Sequence, residues 1–517
     1  MSKKIIAYDL GTSGNKASLY DIDGTCLTNV FVPYDTYYPK SGWHEQRPLD
    51  WWNAIIESTH KLLDTKLIEK KDIESLAISG HSLGAVPINE KGALLHDITP
   101  IWSDTRAKKE VQQFSKKVSE KDWYMNTGNG FPQECYTVFK VMWYKNNKPA
   151  LFKRIYRIFG TKDFINFKMT GKIKTDHSYA SGSGIYDLKK GKYSPRLIEA
   201  SGLPGEFFPE IVPSTQIIGE LTKEAAEKLN LPQKVKVACG GVDNSCMAVG
   251  ARSIKEGRVY TSLGSSAWIA LTSKEPVLDF KNKPFVFTHV IPGMFTSAVP
   301  IFSAGSSYEW ILHNICSNLI FISKKEGKDP YQLMDALASK SPPGSKGLLF
   351  NPSLAGGSSL DKSPYIRGAY LGLDLRHTQS DLIRSVLEGV AMNLRLALDI
   401  LRKFCKLQPE MILVGGGSKS KLWRQIFADV YNINIVKTNI GQEAGSLGAA
   451  AVAAVGSGLW RDFSKIDDIH QVEEITLPIP KNVEKYEKLL NVFKRACEYQ
   501  AEIGDLLHLS NLGEPLS

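Results

Sequence analysis

The amino-acid sequence predicts a two-domain α/β protein, and three observations carry that reading. The chain has 517 residues, more than one hydrophobic core ordinarily supports, and 43% of them are hydrophobic, enough to fill two cores. A strand–turn–strand pattern occurs near the start and again about half a chain later, so the halves read as related domains facing each other with a boundary near residue 250. Around these hairpins, segments with apolar residues at helical spacing alternate with short apolar runs that end in glycines, which indicates mixed α/β layers.

Taken in order, KKIIAYDLGTSGNKASLYDIDGTCL (residues 3–27) reads as strand, Gly-Thr-Ser-Gly turn, strand, Asp-Gly turn, strand. WWNAIIESTHKLLDTKLI (51–68) has helical spacing, and ESLAISG (74–80) is a short buried strand. The second hairpin is GRVYTSLGSSAWIALTS (257–273). DLIRSVLEGVAMNLRLALDILRKF (381–404) is again helical, and PEMILVGGGS (409–418) a strand closed by glycines. The expected division is 1–250 for an N-terminal domain, 251–480 for a C-terminal domain and 481–517 for a helical arm, whose last residues, NLGEPLS, read as a loose end.

Several classes are excluded early. Seven scattered cysteines without a C-x-x-C pair suggest free thiols rather than a disulfide framework or a zinc site. The net charge of +10 comes from dispersed lysines with no basic block interleaved with aromatic residues, which speaks against a nucleic-acid partner. No apolar run is long enough to span a bilayer, and the strand pattern starts too early for a signal peptide, so a cytoplasmic place is expected.

GHSLG, Gly80 to Gly84, spells the G-x-S-x-G of a nucleophile elbow, with Ser82 as the serine. An elbow needs a helix directly after it. AVPINEKGALL instead carries Pro87 and an Asn-Glu-Lys-Gly turn that indicate two strands joined by a hairpin, and no HGGG-type oxyanion segment is present. DLGTSG, Asp9 to Gly14, points elsewhere. Phosphate oxygens need a small-residue turn such as Gly11-Thr12-Ser13, whose N–H groups and hydroxyls reach them without a bulky side chain intervening. Asp9 beside it suits Mg2+, a hard cation that takes carboxylate, water and phosphate oxygens; an ordinary turn aspartate is the alternative. SLGSS, Ser262 to Ser266, offers the same chemistry from the other half, so two turns would clamp one polyphosphate across a cleft. Neither turn, nor GGGSKSK at 415–421, has the G-x-x-x-x-G-K-[ST] spacing of a P-loop.

CGGVDNSCMAVGA (239–251) sets Asp243 after two glycines and before a helical run. It reads either as the N-cap of that helix or as a carboxylate that accepts the proton of an attacking hydroxyl during phosphoryl transfer, and capping would also aim it.

These motifs resemble the FGGY family of carbohydrate kinases from Lys4 to about Ala450. Gly368–Arg395 is similar to the family's C-terminal signature, and WHEQRPLDWW (43–52), VGGGSKSKLWRQIFADVYNINI (414–435) and EAGSLGAAAVAAVG (443–456) are similar to further family motifs in the family's order. The resemblance implies two actin-like, RNase H-like domains with ATP and sugar in an interdomain cleft. It matches Asp9 to the Mg2+-associated aspartate, Thr12 and Ser13 to the first phosphate loop, Gly264 and Ser265 to the second, and Asp243 to the catalytic base. Gly415, Gly416, Gly417 and Ser418 fall where the family lays its adenosine. Asp9 and Asp243 are thereby expected to oppose each other across the interdomain gap.

The loop equivalent to GHSLG lines the sugar pocket in this family and usually reads Q-M-H-G. Here the letters are His81, Ser82, Leu83 and Gly84, so the histidine stands two places early, and a shifted donor selects a different hydroxyl pattern. His81 bonding a core carbonyl is the alternative. ITPIWSDTRA (98–107) resembles the segment bordering the sugar, which assigns Trp102 and Asp104 as ligands against readings as core and as helix cap. TGNGFPQECYTVFKVMWYKNN (127–147) resembles the N-terminal signature, with Cys135 in place of the usual residue, Tyr136 as the aromatic reaching the pocket and, later in the chain, Asn244 as a hydroxyl ligand beside the base.

The expected function is an ATP-dependent kinase of a ketopentose such as xylulose, with a polyol, another ketose or an autoinducer-2-type linear sugar as the alternative. The rivals of other classes are a non-catalytic sugar sensor and a serine hydrolase. The partners implied are a small-molecule sugar and ATP, with no nucleic acid and no membrane, and a homodimer as the oligomeric alternative.

Overall fold

In a computed structural model of the chain, residues 3–65 and 67–510 are described; NLGEPLS, 511–517, lies outside them. The chain divides into two compact units that are interleaved along the sequence. The first comprises Met1–Glu256, Thr272–Ser297 and Glu443–His470; the second comprises Gly257–Leu271, Ala298–Gln442 and Gln471–Ser517.

The first unit is built on a mixed sheet. The opening residues form the expected meander: β1 (Lys4–Leu10), β2 (Gly14–Asp21) and β3 (Cys26–Pro33) pair antiparallel in sequence. The turn between β1 and β2 needs a glycine at its exit, because a Cβ on Gly14 would lie 2.6 Å from the Val32 carbonyl oxygen. β4 (Ile73–Gly80) runs parallel to β1, with Asp9 opposite Ser79. β5 (Ile217–Glu220) and β6 (Lys236–Ala238) extend the sheet on the far side of β4, and the two-residue β7 (Gly241–Val242) pairs with the end of β4, placing Val242 opposite Gly80. The carboxyl ends of β1, β4 and β7 therefore meet at one edge, the side of an open α/β sheet where ligands bind.

The helix Pro48–Asp64 covers one face of this sheet and buries Trp51, Trp52, Ile55 and Leu62 against Ile6, Tyr8 and Ile78. A second cluster gathers Phe114, Trp123, Phe139 and Trp143 around the helix Thr137–Asn147. The small residues of EAGSLGAAAVAAVG have a packing reason. A Cβ added at Gly448 would fall 1.9 Å from the Cys246 carbonyl oxygen, and one at Gly250 would fall 1.7 Å from that of Ala444, so the helices Asp243–Gly250 and Ala444–Gly456 cross backbone to backbone. Overpacking such a contact costs typically 1–3 kcal/mol, and Gly448→Ala is expected to lower the unfolding free energy from a denaturant titration by about that much.

The second unit repeats the plan. β8 (Val259–Leu263) and β9 (Ala267–Ser273) form an antiparallel hairpin; β10 (Glu410–Val414) lies parallel to β8 and β11 (Asn434–Thr438) parallel to β10. β12 (Val472–Thr476) closes the edge antiparallel to β11. The helix Gln379–Leu401 opens with a capping box from Thr378 and Asp381. The expected C-terminal arm is the helix Pro480–Leu509, anchored where the Tyr486 hydroxyl donates to the buried Glu388 carboxylate at 2.6 Å.

All seven cysteines are free thiols. Among the described residues no helix is long and apolar enough to cross a membrane.

Candidate functional site

Asp9 sits on the penultimate residue of β1, where the strand register sets it beside Ser79 of β4, and the Ser79 hydroxyl donates to its Oδ1 at 2.9 Å. Burial pushes the Asp9 carboxyl above its ordinary value, against the opposing pull of the Ser79 hydroxyl and the Lys16 ammonium. Asp243 follows β7 directly. Burial pushes its carboxyl up to about 7; the Asn244 amide groups pull it down and the Asp9 carboxylate raises it further. Asn244 donates to Asp243 Oδ1 from its backbone N–H at 2.8 Å and from Nδ2 at 3.0 Å, so its expected place beside the base is occupied by this double contact.

Two expectations change here. Asp9 and Asp243 do not oppose each other across a gap between units: both belong to the first unit, at the ends of β1 and β7 with β4 between them, and the Asp9 charge raises the Asp243 carboxyl. Nor is Asp243 an N-cap. Val242 occupies the capping position, with extended dihedrals and no side-chain cap, and Asp243 is the first helical residue. Its carboxylate still lies at a helix N-terminus, where the aligned peptide dipoles favour negative charge.

The first small-residue turn begins two residues after Asp9, at the end of β1. Gly11 and Thr12 are half-buried and Ser13 is exposed. Their backbone is fixed from outside: Tyr34 OH donates to the Gly11 carbonyl, Gln46 Nε2 donates to the Thr12 carbonyl at 2.7 Å, and Trp102 Nε1 donates to Thr12 Oγ1 at 2.9 Å. Trp102 thus reaches the turn through its indole N–H, and its ring leans on Phe131 at 5.9 Å between centroids.

His81 continues β4 and donates its backbone N–H to the Leu10 carbonyl at 3.0 Å. Its ring is buried edge-on to Trp51, neither ring nitrogen has a hydrogen-bond partner within the protein, and burial lowers its pKa to about 3, so the imidazole is neutral. Ser82 is buried next in line, and Leu83 takes a left-handed φ of 62°. No helix follows Ser82: Val86–Ile88 is a strand paired with Arg157–Phe159, and Ile88 bridges Leu94 across the Asn89–Gly92 turn, which removes the nucleophile elbow.

Asp104 is wholly buried, with its oxygens accepting from His44 N–H (2.7 Å) and from Arg106 N–H, Nε and Nη2 (3.1, 2.8 and 2.7 Å). It is not a helix cap, because the next helix starts at Lys108 with no side-chain cap; it anchors Arg106, which also reaches Glu45. Tyr136 is core rather than pocket wall: its ring packs edge-on to Trp123 and its hydroxyl accepts from the Phe131 N–H at 3.0 Å.

In the second unit, Gly264 and Ser265 form the exposed β8–β9 turn. Their carbonyls accept from the N–H groups of Gly305, and of Ala304 and Ser306, at 2.9–3.0 Å, which docks the turn on the start of the helix Gly305–Asn314. Gly415 has φ +90° and approaches the same strand end, since its Cβ would lie 2.5 Å from the Leu263 carbonyl oxygen. The following Gly416–Lys419 turn is closed by Ser418, whose hydroxyl donates to the Gly415 carbonyl at 2.7 Å. Gly264, Ser265 and Gly415–Ser418 are thus brought together at the carboxyl ends of β8 and β10.

One residue of the first unit carries no role in the sequence reading although its motif is conspicuous. A Cβ on Gly445 would lie 2.6 Å from Asp9 Oδ2, so the start of the helix Ala444–Gly456 comes against the Asp9 carboxylate itself. The spacing of small residues is visible in the sequence; that one of them faces Asp9 is not. Gly445→Ala is expected to displace the carboxylate, a flexible group, and so to lower kcat about tenfold or more while the unfolding midpoint shifts little; steady-state kinetics with thermal unfolding checks both.

Comparison with known proteins identifies a family. Residues 4–250 match the N-terminal domain, and residues 259–457 the C-terminal domain, of the FGGY family of carbohydrate kinases. A xylulose kinase of Lactococcus lactis subsp. lactis is 30% identical over 508 residues, covering 97% of this chain and 98% of its own. A ligand-bound xylulose kinase from Lactobacillus acidophilus superposes with a TM-score of 0.87 at 27% identity, and a gluconate kinase from the same organism gives the same values; each comparison covers 98% of both chains.

Proposed function

The chain belongs to the FGGY family of carbohydrate kinases, and on that premise we propose that it transfers the γ-phosphoryl group of ATP to a primary hydroxyl of a ketopentose such as xylulose. Membership in a kinase family sets aside the hydrolase and the non-catalytic sensor. The observation that carries the proposal is the pair Asp9 and Asp243, two carboxylates at the carboxyl ends of strands that flank β4, one held high enough in pKa to take a proton near neutrality.

In this reading Asp243 accepts the proton of the sugar's primary hydroxyl as its oxygen attacks the γ-phosphorus and ADP departs with the bridging oxygen. Thr12, Ser13 and the Gly11 backbone contact phosphate oxygens from the first unit, and Gly264, Ser265 and the Gly415–Ser418 turn hold the nucleotide on the second. Asp9 fits a magnesium ion. Among the described residues there is no cluster of three or more metal-ligating side chains, and Mg2+ is commonly bound by one or two carboxylates with waters and phosphates completing its shell. When bound, Mg2+ neutralises phosphate charge.

His81, Ser82 and Trp102 are proposed to face the sugar. The neutral His81 ring with two unpaired nitrogens supports this, since a sugar hydroxyl would satisfy them. Leu83, standing where pentulose kinases of this family usually carry histidine, favours a second reading in which the substrate is a polyol, another ketose or an autoinducer-2-type linear sugar.

A coupled ADP-release assay over pentuloses, polyols, hexuloses and gluconate tests the proposal. Turnover with D-xylulose above the others supports it, turnover confined to gluconate overturns the substrate, and ATP binding without sugar-dependent turnover for any member overturns the activity. The pH dependence is a separate prediction. A base must be deprotonated to act, so kcat/KM for the sugar is expected to be level above about pH 7 and to fall tenfold per unit below it.

A further inference from the structure

We propose that Lys140 is a positioning residue that staples together the two segments carrying the sugar-facing candidates, Gly80–Gly84 and Ile101–Asp104. The proposal rests on the functional reading above for its consequence but not for its geometry.

Lys140 lies on the helix Thr137–Asn147 and is fully buried. A buried ammonium is expensive unless its hydrogens are bonded, and a lysine with this surrounding needs a reason to be there. Its partners are not carboxylates. Nζ donates to the Leu83 carbonyl at 3.0 Å and to the Ile101 carbonyl at 2.6 Å. Leu83 and Ile101 belong to different loops, and Lys140 bonds both at once.

The helix presents this lysine as part of a stripe. Thr137, Lys140 and Tyr144 fall at i, i+3 and i+7, one face of a helix, and they donate in turn to the carbonyls of Gly84 (3.1 Å), Leu83 and Ala85 (3.3 Å). Three consecutive carbonyls of one loop are therefore read by three side chains of one buried helix. The loop needs holding: Leu83 has a left-handed φ of 62°, a conformation that bulky L-residues resist. Lys140 also reaches the Trp102–Asp104 side through the Ile101 carbonyl, beside a direct link in which Thr99 Oγ1 donates to the Ala85 carbonyl at 2.7 Å. The groups whose charges act on it are Asp104, Cys135 and Arg106, and it acts in turn on His44 and His81; burial lowers its pKa to about 8, so the ammonium is mostly charged at neutral pH and its bonds are charge-assisted.

Lys140→Met keeps most of the aliphatic stem, one atom shorter, and removes the donors. The expected result is a sugar KM raised about tenfold or more with the KM for ATP within twofold, and faster hydrogen–deuterium exchange in peptides covering 81–85 and 99–104 together. Thr137→Val, which loses only the Gly84 bond, should speed exchange in 81–85 and leave 99–104 unchanged. If Lys140→Met does not fold, Lys140→Gln, whose amide keeps N–H donors on a side chain one atom shorter, should fold and speed exchange in at least one of the two segments. A folded Lys140→Met with unchanged sugar KM, or with exchange in 99–104 as slow as in the parent, overturns the proposal. Because exchange is read without substrate, coupled loosening of both segments with no sugar turnover in the parent would sustain the staple and reject the sugar reading instead.

Discussion

Asp243→Asn is expected to lower kcat by about 10²–10⁴-fold, the range a general base contributes, while sugar binding measured by calorimetry stays largely intact. The substitution is close to isosteric and keeps the Oδ1 acceptor for both Asn244 contacts, so the start of the helix Asp243–Gly250 should not move. Its effect on stability has the opposite sign. Folding raises the Asp243 pKa from 3.8 to about 7, which means the fold disfavours the carboxylate, and the native state loses stability as pH rises from the unfolded value through the folded one. An amide carries no such charge. Asp243→Asn should therefore unfold at higher denaturant than the parent at pH 8, and the difference should vanish below about pH 3.8. A variant that lost activity and stability together would have failed for a structural reason, and one that kept turnover would show that another group takes the proton.

The second large effect is expected at Lys162, which the mechanism does not use. Its buried ammonium pairs with Asp163 at 2.5 Å and with Asp176 at 3.0 Å, and donates to the Cys239 carbonyl at 3.2 Å. Asp176 in turn accepts from the hydroxyls of Ser178 and Ser214, and Ser178 Oγ accepts from the Val242 N–H at 2.9 Å. Beneath Asp243, then, a chain of buried polar contacts holds the Cys239–Val242 segment that delivers it. Removing one partner of a buried ion pair leaves its mates uncompensated and typically costs 3–5 kcal/mol, and Lys162→Met is expected to destabilise the full chain by about that amount in denaturant titrations. The raised Asp163 carboxyl sets the direction of a control: acidification, which protonates an unpaired aspartate, should narrow the gap between Lys162→Met and the parent. A gap that stays constant from pH 8 to pH 5 would place the cost in packing instead.

Much of the architecture was legible because it is local. Strands bounded by turn formers, a small-residue turn after an acidic strand end and helical spacing in 381–404 all depend on neighbours in the sequence, and each appears where expected. Readings that required knowing the far side of a side chain fared worse. Asp104 has the look of a helix cap from its own stretch, but four N–H donors from His44 and Arg106 claim it. Tyr136 was assigned to the pocket by motif position, and its hydroxyl is spent on the Phe131 backbone inside the core. By contrast, the local rejection of GHSLG as a nucleophile elbow held, because Pro87 and the Asn-Glu-Lys-Gly turn announce the strand that follows it.

From the sequence alone came the α/β class, the repeated hairpin and the residue types at the ends of its strands, because backbone propensity and apolar periodicity act over a few residues at a time. Tertiary structure decided that the chain passes back into the first unit at Glu443–His470 to set Gly445 against Asp9, and that a buried lysine bonds two loops. Those contacts join residues as far apart as 9 and 445, and whether they form depends on how packed elements exclude one another's atoms, which no local pattern records.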